Sequence, residues 1–240
     1  MTEHYYKQED TQKIATEVDL NAFAYSQKFS WLFSVFIKFD LEDKVQEKYE
    51  EFLDTKASII QSIELDEAAK YVGSRVVDGW TELYFYARDS KALGSKVSSI
   101  LTSLDYPYEA NVVRDSKWDF YNYNLYPTEL ESHHIQSRHV LEMLIDEDDD
   151  LHVSRPVEHY VYFDTPTQKE RFVQNLSLDG FEYKDEIDSE EFQNGIALVK
   201  THDLLPETID KVVEEVYESL QKDHGYYEGW STTLAADIEE

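Results

Sequence analysis

There is no cysteine among the 240 residues. Thiol catalysis, disulfides and cysteine-ligated zinc are therefore excluded, and the composition fits a reducing cytoplasm. Catalytic signatures are missing as well. The chain holds no Gly-x-Ser-x-Gly elbow, Walker loop, dinucleotide fingerprint or His-Glu-x-x-His helix. The longest apolar stretch, Trp31 to Ile37, is far too short to span a bilayer. Residues Met1 to Lys13 are polar and contain no apolar segment, so no signal peptide is expected.

Positive charge is the next scarcity. Only 22 Lys and Arg stand against 51 Asp and Glu, a net charge of −29. Residues 1–127 hold 14 basic and 22 acidic side chains, residues 128–150 hold 1 and 8, and residues 151–240 hold 7 and 21. With no basic patch interleaved with aromatics, this balance opposes direct binding to RNA, DNA or an anionic membrane. A basic protein surface is the natural partner, since opposite charge raises the encounter rate. The plainer reading is that acidity maintains solubility.

What the chain does have is material for packed cores: 41% hydrophobic residues, with 18 Tyr and 12 Phe. Its length suits two domains. Trp31–Phe39 reads as a central strand, followed by a helix from about Glu42 to Leu65. Tyr71–Val77 and Trp80–Arg88 form a hairpin around Asp78-Gly79. Asp89 caps a second helix through Leu104, and Pro107 opens a strand to Arg114. After an aromatic stretch from Trp118 to Tyr126, a helix is expected from Thr128 to Ile145. The five acids Asp146–Asp150 then read as a linker.

The same order recurs downstream. Val157–Phe163 is a strand, and Thr165-Pro166-Thr167-Gln168 fits a capping box that opens a helix. Phe181–Ile187 and Ile196–His202 are the middle strands. Pro206 opens an amphipathic helix, and Tyr226–Leu234 closes the unit. The fold class expected is α+β: two ferredoxin-like βαββαβ units, each an antiparallel sheet with two helices on one face and the other face open. The expected boundaries are 1–145, with a core at about 29–115 plus a connecting helix, and 152–240.

The strand His159–Phe163, the Gly180-Phe181 step, the Ile209-Asp210 helix and the tail Gly225-Tyr-Tyr-Glu-Gly-Trp230 together resemble the RraB family, regulators of ribonuclease activity. That family's tail is close to Gly-x-Tyr-Asp-Gly-Trp, and here Glu228 stands in for the Asp. The first unit is similar to a domain of unknown function, the DUF695 family, through Gly73-x-Arg75, Asp78-Gly79, Tyr84-Phe-Tyr86 and Asp115-x-x-Trp118-x-x-Tyr121. The RraB resemblance implies a non-catalytic cytoplasmic protein without cofactors that binds and inhibits an RNase E-type endoribonuclease. A general interaction or scaffold module and an unrecognised hydrolase are the competing classes.

Candidate chemistry reads plainly. His133, His134 and His139 lie on one helix, but His134 and His139 are five apart, off the spacing that shares a metal. They read as a solvated face. The acidic run lacks the glycine and glutamate of a calcium loop, with Leu151 and Val157 at those places. The residues expected to contact a partner protein are Asp185, Glu186, Asp188, Glu190 and Glu191 between the middle strands, and Glu214, Glu215 and Glu218 on the last helix. Tyr226, Tyr227 and Trp230 in the tail complete the set. Strand alternation places Tyr226, Glu228 and Trp230 on one face and Tyr227 on the other, with Trp230 mainly structural and Gly229 permitting a bulge.

Overall fold

The computed structural model describes residues 2–9, 12–39, 46–102, 104, 106–176, 179–187 and 193–238. It is α+β, with two antiparallel sheets in two compact units, Met1–Pro127 and Thr128–Glu240.

The first unit begins with a hairpin, β1 (Thr2–Glu9) and β2 (Gln12–Asp19). There follow β3 (Trp31–Lys38), α1 (Gln46–Glu64), β4 (Ala69–Val77), β5 (Trp80–Ala87), α2 (Leu93–Leu101) and β6 (Tyr108–Arg114). The sheet order is β1-β2-β4-β5-β3-β6, so β3 is an interior strand paired on both sides, as its aromatic and β-branched run implies. Asp78 and Gly79 take φ values of 50° and 75°, the left-handed pair that a two-residue hairpin turn requires. Phe33, Val35 and Ile37 of β3 meet Phe52, Ile59 and Ile63 of α1 and Val97 and Leu101 of α2 in one core. Both helices therefore pack on the same face. Asp89 does not cap α2. It accepts from the Lys91 N–H at 2.8 Å, and the helix starts later, after Ala92.

The opposite face of this sheet is covered, against expectation, by the chain's own residues 115–125. The Asp115 carboxylate accepts from the N–H groups of Asp119 and Phe120, at 3.0 Å each, and from the Tyr86 hydroxyl at 2.6 Å. That turn lays Trp118 flat on Tyr86, ring centroids 3.8 Å apart, and brings Phe120 onto Tyr84 at 4.4 Å. A π-helical turn at Tyr121–Leu125 follows, and Tyr5 of β1 donates to the Leu125 carbonyl at 2.6 Å. The β1–β2 hairpin escapes a sequence reading because two of the three buried positions on β1 are Glu3 and Lys7. Lys7 reaches the Tyr126 carbonyl at 3.0 Å.

The second unit starts with α3 (Glu129–Asp146), opened by a capping box between Thr128 and Glu131. Then come β7 (Arg155–Phe163), α4 (Pro166–Gln174), β8 (Glu182–Ile187), β9 (Gly195–His202), α5 (Pro206–Leu220) and β10 (Gly225–Thr232). The sheet order is β10-β7-β9-β8, with β7 central and β8 at an edge. Thr165, Pro166 and Gln168 form the capping box their spacing predicts. Ile209, Val212, Val213, Val216 and Leu220 of α5 are buried on Val157, Val161 and Phe163 of β7. Each such side chain contributes about 1.5–3 kcal/mol.

The division falls after Pro127, ahead of the acidic run where a boundary was expected, and α3 belongs to the second unit. The reason is packing. Leu141 lies in the second core with Leu130, Val140 and Leu144 against it, and Ser137 accepts from the Trp230 indole at 2.9 Å. No helix among the described residues is long and apolar enough to cross a membrane.

Candidate functional site

The strand motif and the tail motif meet inside the second unit. His159 of β7 is fully buried, and its Nδ1 lies 2.9 Å from the hydroxyl of Tyr227 on β10, itself buried. The His202 ring is 6.0 Å from that of His159, with Phe181 edge-on at 5.5 Å. On α3, His133 meets Tyr227 edge-on at 5.0 Å. His133 is thus a buried packing residue and not part of a solvated face.

Burial lowers the pKa of His159 to about 3, helped by the charges of His202 and Lys200. Burial also lowers those of His202 and His133, and raises that of Tyr227. All of these groups are neutral near pH 7. One hydrogen bond joins His159 to Tyr227, and the rings of His202 and His133 pack around that pair. Among the described residues, no three His, Asp or Glu side chains converge as a metal ion would need.

The acidic run is more than a linker. Asp149 holds Arg155 through both carboxylate oxygens, and its side chain and that of Arg155 are 2% and 0% exposed. The Ala235 N–H donates to the same carboxylate at 2.8 Å. Burial alone would push the Asp149 carboxyl up. The hydrogen bonds from Arg155 and Ala235 outweigh it, and the net shift is downward. Removing one partner of such a buried pair costs about 3–5 kcal/mol.

The residues expected to contact a partner are dispersed. Asp185 and Glu186 lie on β8, exposed along most of its length, and Lys169 pairs with Glu186 at 3.2 Å. Asp188, Glu190 and Glu191 lie outside the described residues. Glu214 and Glu218 are exposed on α5, whereas Glu215 is half-buried and paired with Lys200 at 2.9 Å. Tyr226 is exposed, but Tyr227 and Trp230 are core residues unavailable to a partner. Strand alternation misplaces these two because β10 carries a bulge between Tyr227 and Gly229. The extra residue, Glu228, puts Tyr227 and Trp230 on the same buried face, and Gly229 accommodates the turn at φ 136°.

The structure also brings together residues that the sequence reading left unassigned. On the sheet face turned from α4 and α5 lie Tyr160 and Tyr162 of β7, partly exposed, next to Tyr226. Tyr162 and Tyr226 stack at 4.9 Å with planes 17° apart. A depression of about 240 Å³ beside them is lined by Tyr160, Val161, Tyr162, Ile187, Gly195 and Glu228. The signal was present in the alternation Val157-Glu-His-Tyr-Val-Tyr-Phe163, whose second set is Glu158, Tyr160 and Tyr162.

Comparison with known proteins agrees with this division. The family model described as regulator of ribonuclease activity B (RraB) matches residues 134–232. A family of unknown function, DUF695, matches residues 5–126. No curated protein matches the chain. Among solved structures, an unknown protein from Galdieria sulphuraria aligns at 13% identity over 86% of this chain and 99% of its own, with a TM-score of 0.24. A candidate glycine cleavage system transcriptional repressor aligns at 11% identity over 85% and 98%, with a TM-score of 0.22. At those scores neither carries an argument about fold or function.

Proposed function

We propose that this chain, which belongs to the DUF695 family through residues 5–126 and matches the RraB family through residues 134–232, binds an endoribonuclease and restrains it. The partner class is an RNase E-type enzyme, the contact is protein to protein, and the chain contributes no catalysis. The observation that carries the reading is the extent of the RraB match, which runs from within α3 to the end of β10. Charge supports it. The 21 acids against 7 bases in residues 151–240 favour a basic surface on the partner and oppose direct capture of RNA. Both units are read as ferredoxin-like, because in each sheet the first strand of the repeated order lies between the third and the fourth. The site of action is the cytoplasm.

The test has two steps. Affinity capture on the full chain from a lysate of its own source should recover a ribonuclease. RNA cleavage by that enzyme should slow as the chain is added, and the effect should weaken with rising ionic strength because exposed acids act mainly on encounter. Cleavage indifferent to the chain would sink the reading. Capture of a complex without a nuclease would point to a scaffold module instead.

A further inference from the structure

Each sheet ends in two edge strands, β1 and β6 in the first unit and β8 and β10 in the second. An edge presents unpaired backbone N–H and C=O groups, and bulges or charge keep other strands from adding there. Three of the four are guarded in this way. Bulges interrupt β8 between Tyr183 and Asp185 and β10 between Tyr227 and Gly229. β8 also bears Glu182, Lys184, Asp185 and Glu186, and β1 points the ionic Glu3 and Lys7 inward.

β6 has none of these guards. It pairs with β3 from Tyr108 to Arg114 without a bulge, and Pro107 stops just ahead of it. Glu109, Ala110, Asn111, Val113 and Arg114 are exposed, Val113 by 44%. Charge around it is balanced. From α2 through β6, residues 93–114 hold Lys96 and Arg114 against Asp105 and Glu109, net zero in a chain of −29. A neutral edge gives a basic segment nothing to hold, whereas β6 of a second copy matches it in length and charge. Two such acidic chains meet there with no local excess of like charge.

Symmetry narrows the pairing. A two-fold axis perpendicular to the sheet sets β6 antiparallel to its copy and keeps like faces together, so the axis must pass through a residue. Tyr108 and Val112 pack toward the helices, which places Ala110 and Arg114 with them and Glu109, Asn111 and Val113 on the other face. Centred on Asn111, the whole strand Tyr108–Arg114 pairs. Tyr108 then faces Arg114 of the second copy, Glu109 faces Val113, Ala110 faces Val112, and Asn111 faces its own counterpart. No like charges stand directly opposite, and the two Asn111 amides donate and accept reciprocally. Centring on Val112 instead would set Glu109 against Asp115. We propose that the chain forms a homodimer through β6 in the register centred on Asn111, joining the two first sheets edge to edge. This goes beyond the regulator reading and does not depend on it.

Sedimentation of the full chain over a wide range of concentration should show monomer passing to dimer. Salt should tighten the dimer, since it screens the repulsion between two chains of −29, where a basic occupant would show the reverse. Asn111→Lys sets two like charges opposite each other and should weaken the dimer about fivefold, while Asn111→Thr should leave it within about twofold. The register has its own readout, because the chain has no cysteine. Asn111→Cys should cross-link when a disulfide oxidant is added, directly opposed Cα atoms being about 4.5–5.5 Å apart. Glu109→Cys should not, its counterpart lying about 13 Å along the strand, yet a mixture of Glu109→Cys with Val113→Cys should. The proposal is overturned if the chain stays monomeric at its highest soluble concentration or if salt loosens the dimer. It is overturned equally if Asn111→Lys leaves the dimer intact, or if Glu109→Cys alone cross-links as well as Asn111→Cys.

Discussion

At the scale of the residue, His159 shows how burial sets a protonation state. Its folded pKa of about 3 lies below the ordinary 6.5, so the unfolded chain takes up the proton first as pH falls. Stability from this group is complete above pH 6.5 and erodes as pH drops toward 3, with a limiting slope of about 1.4 kcal/mol per pH unit. His202 and His133 are shifted in the same direction, and Tyr227, His202 and Lys200 are the polar or charged groups acting on or bonded to His159. The urea midpoint of the second unit should therefore fall between about pH 7 and about pH 5, a window above most carboxylate titration. His159→Gln should make the decline shallower, and a midpoint level across that window in the parent would contradict this account. Both His159 and Tyr227 belong to recognisable motifs, yet 68 positions separate them, so their partnership has no local signature.

At the scale of the element, glycines let strands depart from regular pairing. A Cβ at Gly73 would stand 2.2 Å from the Glu17 carbonyl oxygen on β2, and Gly73 follows a bulge in β4 at φ 155°. The same region is tied by polar contacts, since Glu17 accepts from Tyr71 at 3.1 Å and pairs with Lys56 of α1. Gly73→Ala should loosen β2 from β4 and leave β3 and β5 intact. Hydrogen exchange should then quicken in Thr2–Glu9 and Gln12–Asp19, while amides of Trp31–Lys38 keep their protection. Uniform exchange across all six strands, or no change, would count against a local role. Long amphipathic α5, the capped α4 and the Asp78-Gly79 hairpin were legible because their signals are local. The β1–β2 hairpin was not, since Glu3 and Lys7 are buried there and Lys7 finds its partner, the Tyr126 carbonyl, more than a hundred positions away.

At the scale of the whole molecule, the division after Pro127 makes α3 part of the second unit. Residues 128–240 should therefore fold as a cooperative fragment when expressed alone. Residues 152–240 should not, because that piece leaves Arg155 buried without Asp149, at about 3–5 kcal/mol, and strips Ser137 and Leu141 from around Trp230. Thermal unfolding followed by circular dichroism decides it, and equal transitions for the two fragments would reject the placement of α3. The same packing explains why the acidic run misled. Five consecutive acids look solvated in one dimension, but the chain turns after α3 so that one of them, Asp149, meets Arg155 and the Ala235 N–H.

By itself the sequence determined the order of the main strands and helices from β3 onward, the interior placement of β3 and β7 and the acidic character, because periodicity, capping residues and charge are properties of neighbouring positions. It also carried both families, through motifs that survive as strings of residues. Only the tertiary structure decided which faces those elements present. A one-residue bulge at Glu228 reversed the side of Trp230, the turn at Asp115 closed one sheet face, and Tyr226 came to stack on Tyr162 across two strands. Such outcomes depend on register and on contacts between positions far apart in the chain, and a single residue of slip changes the face of every side chain beyond it.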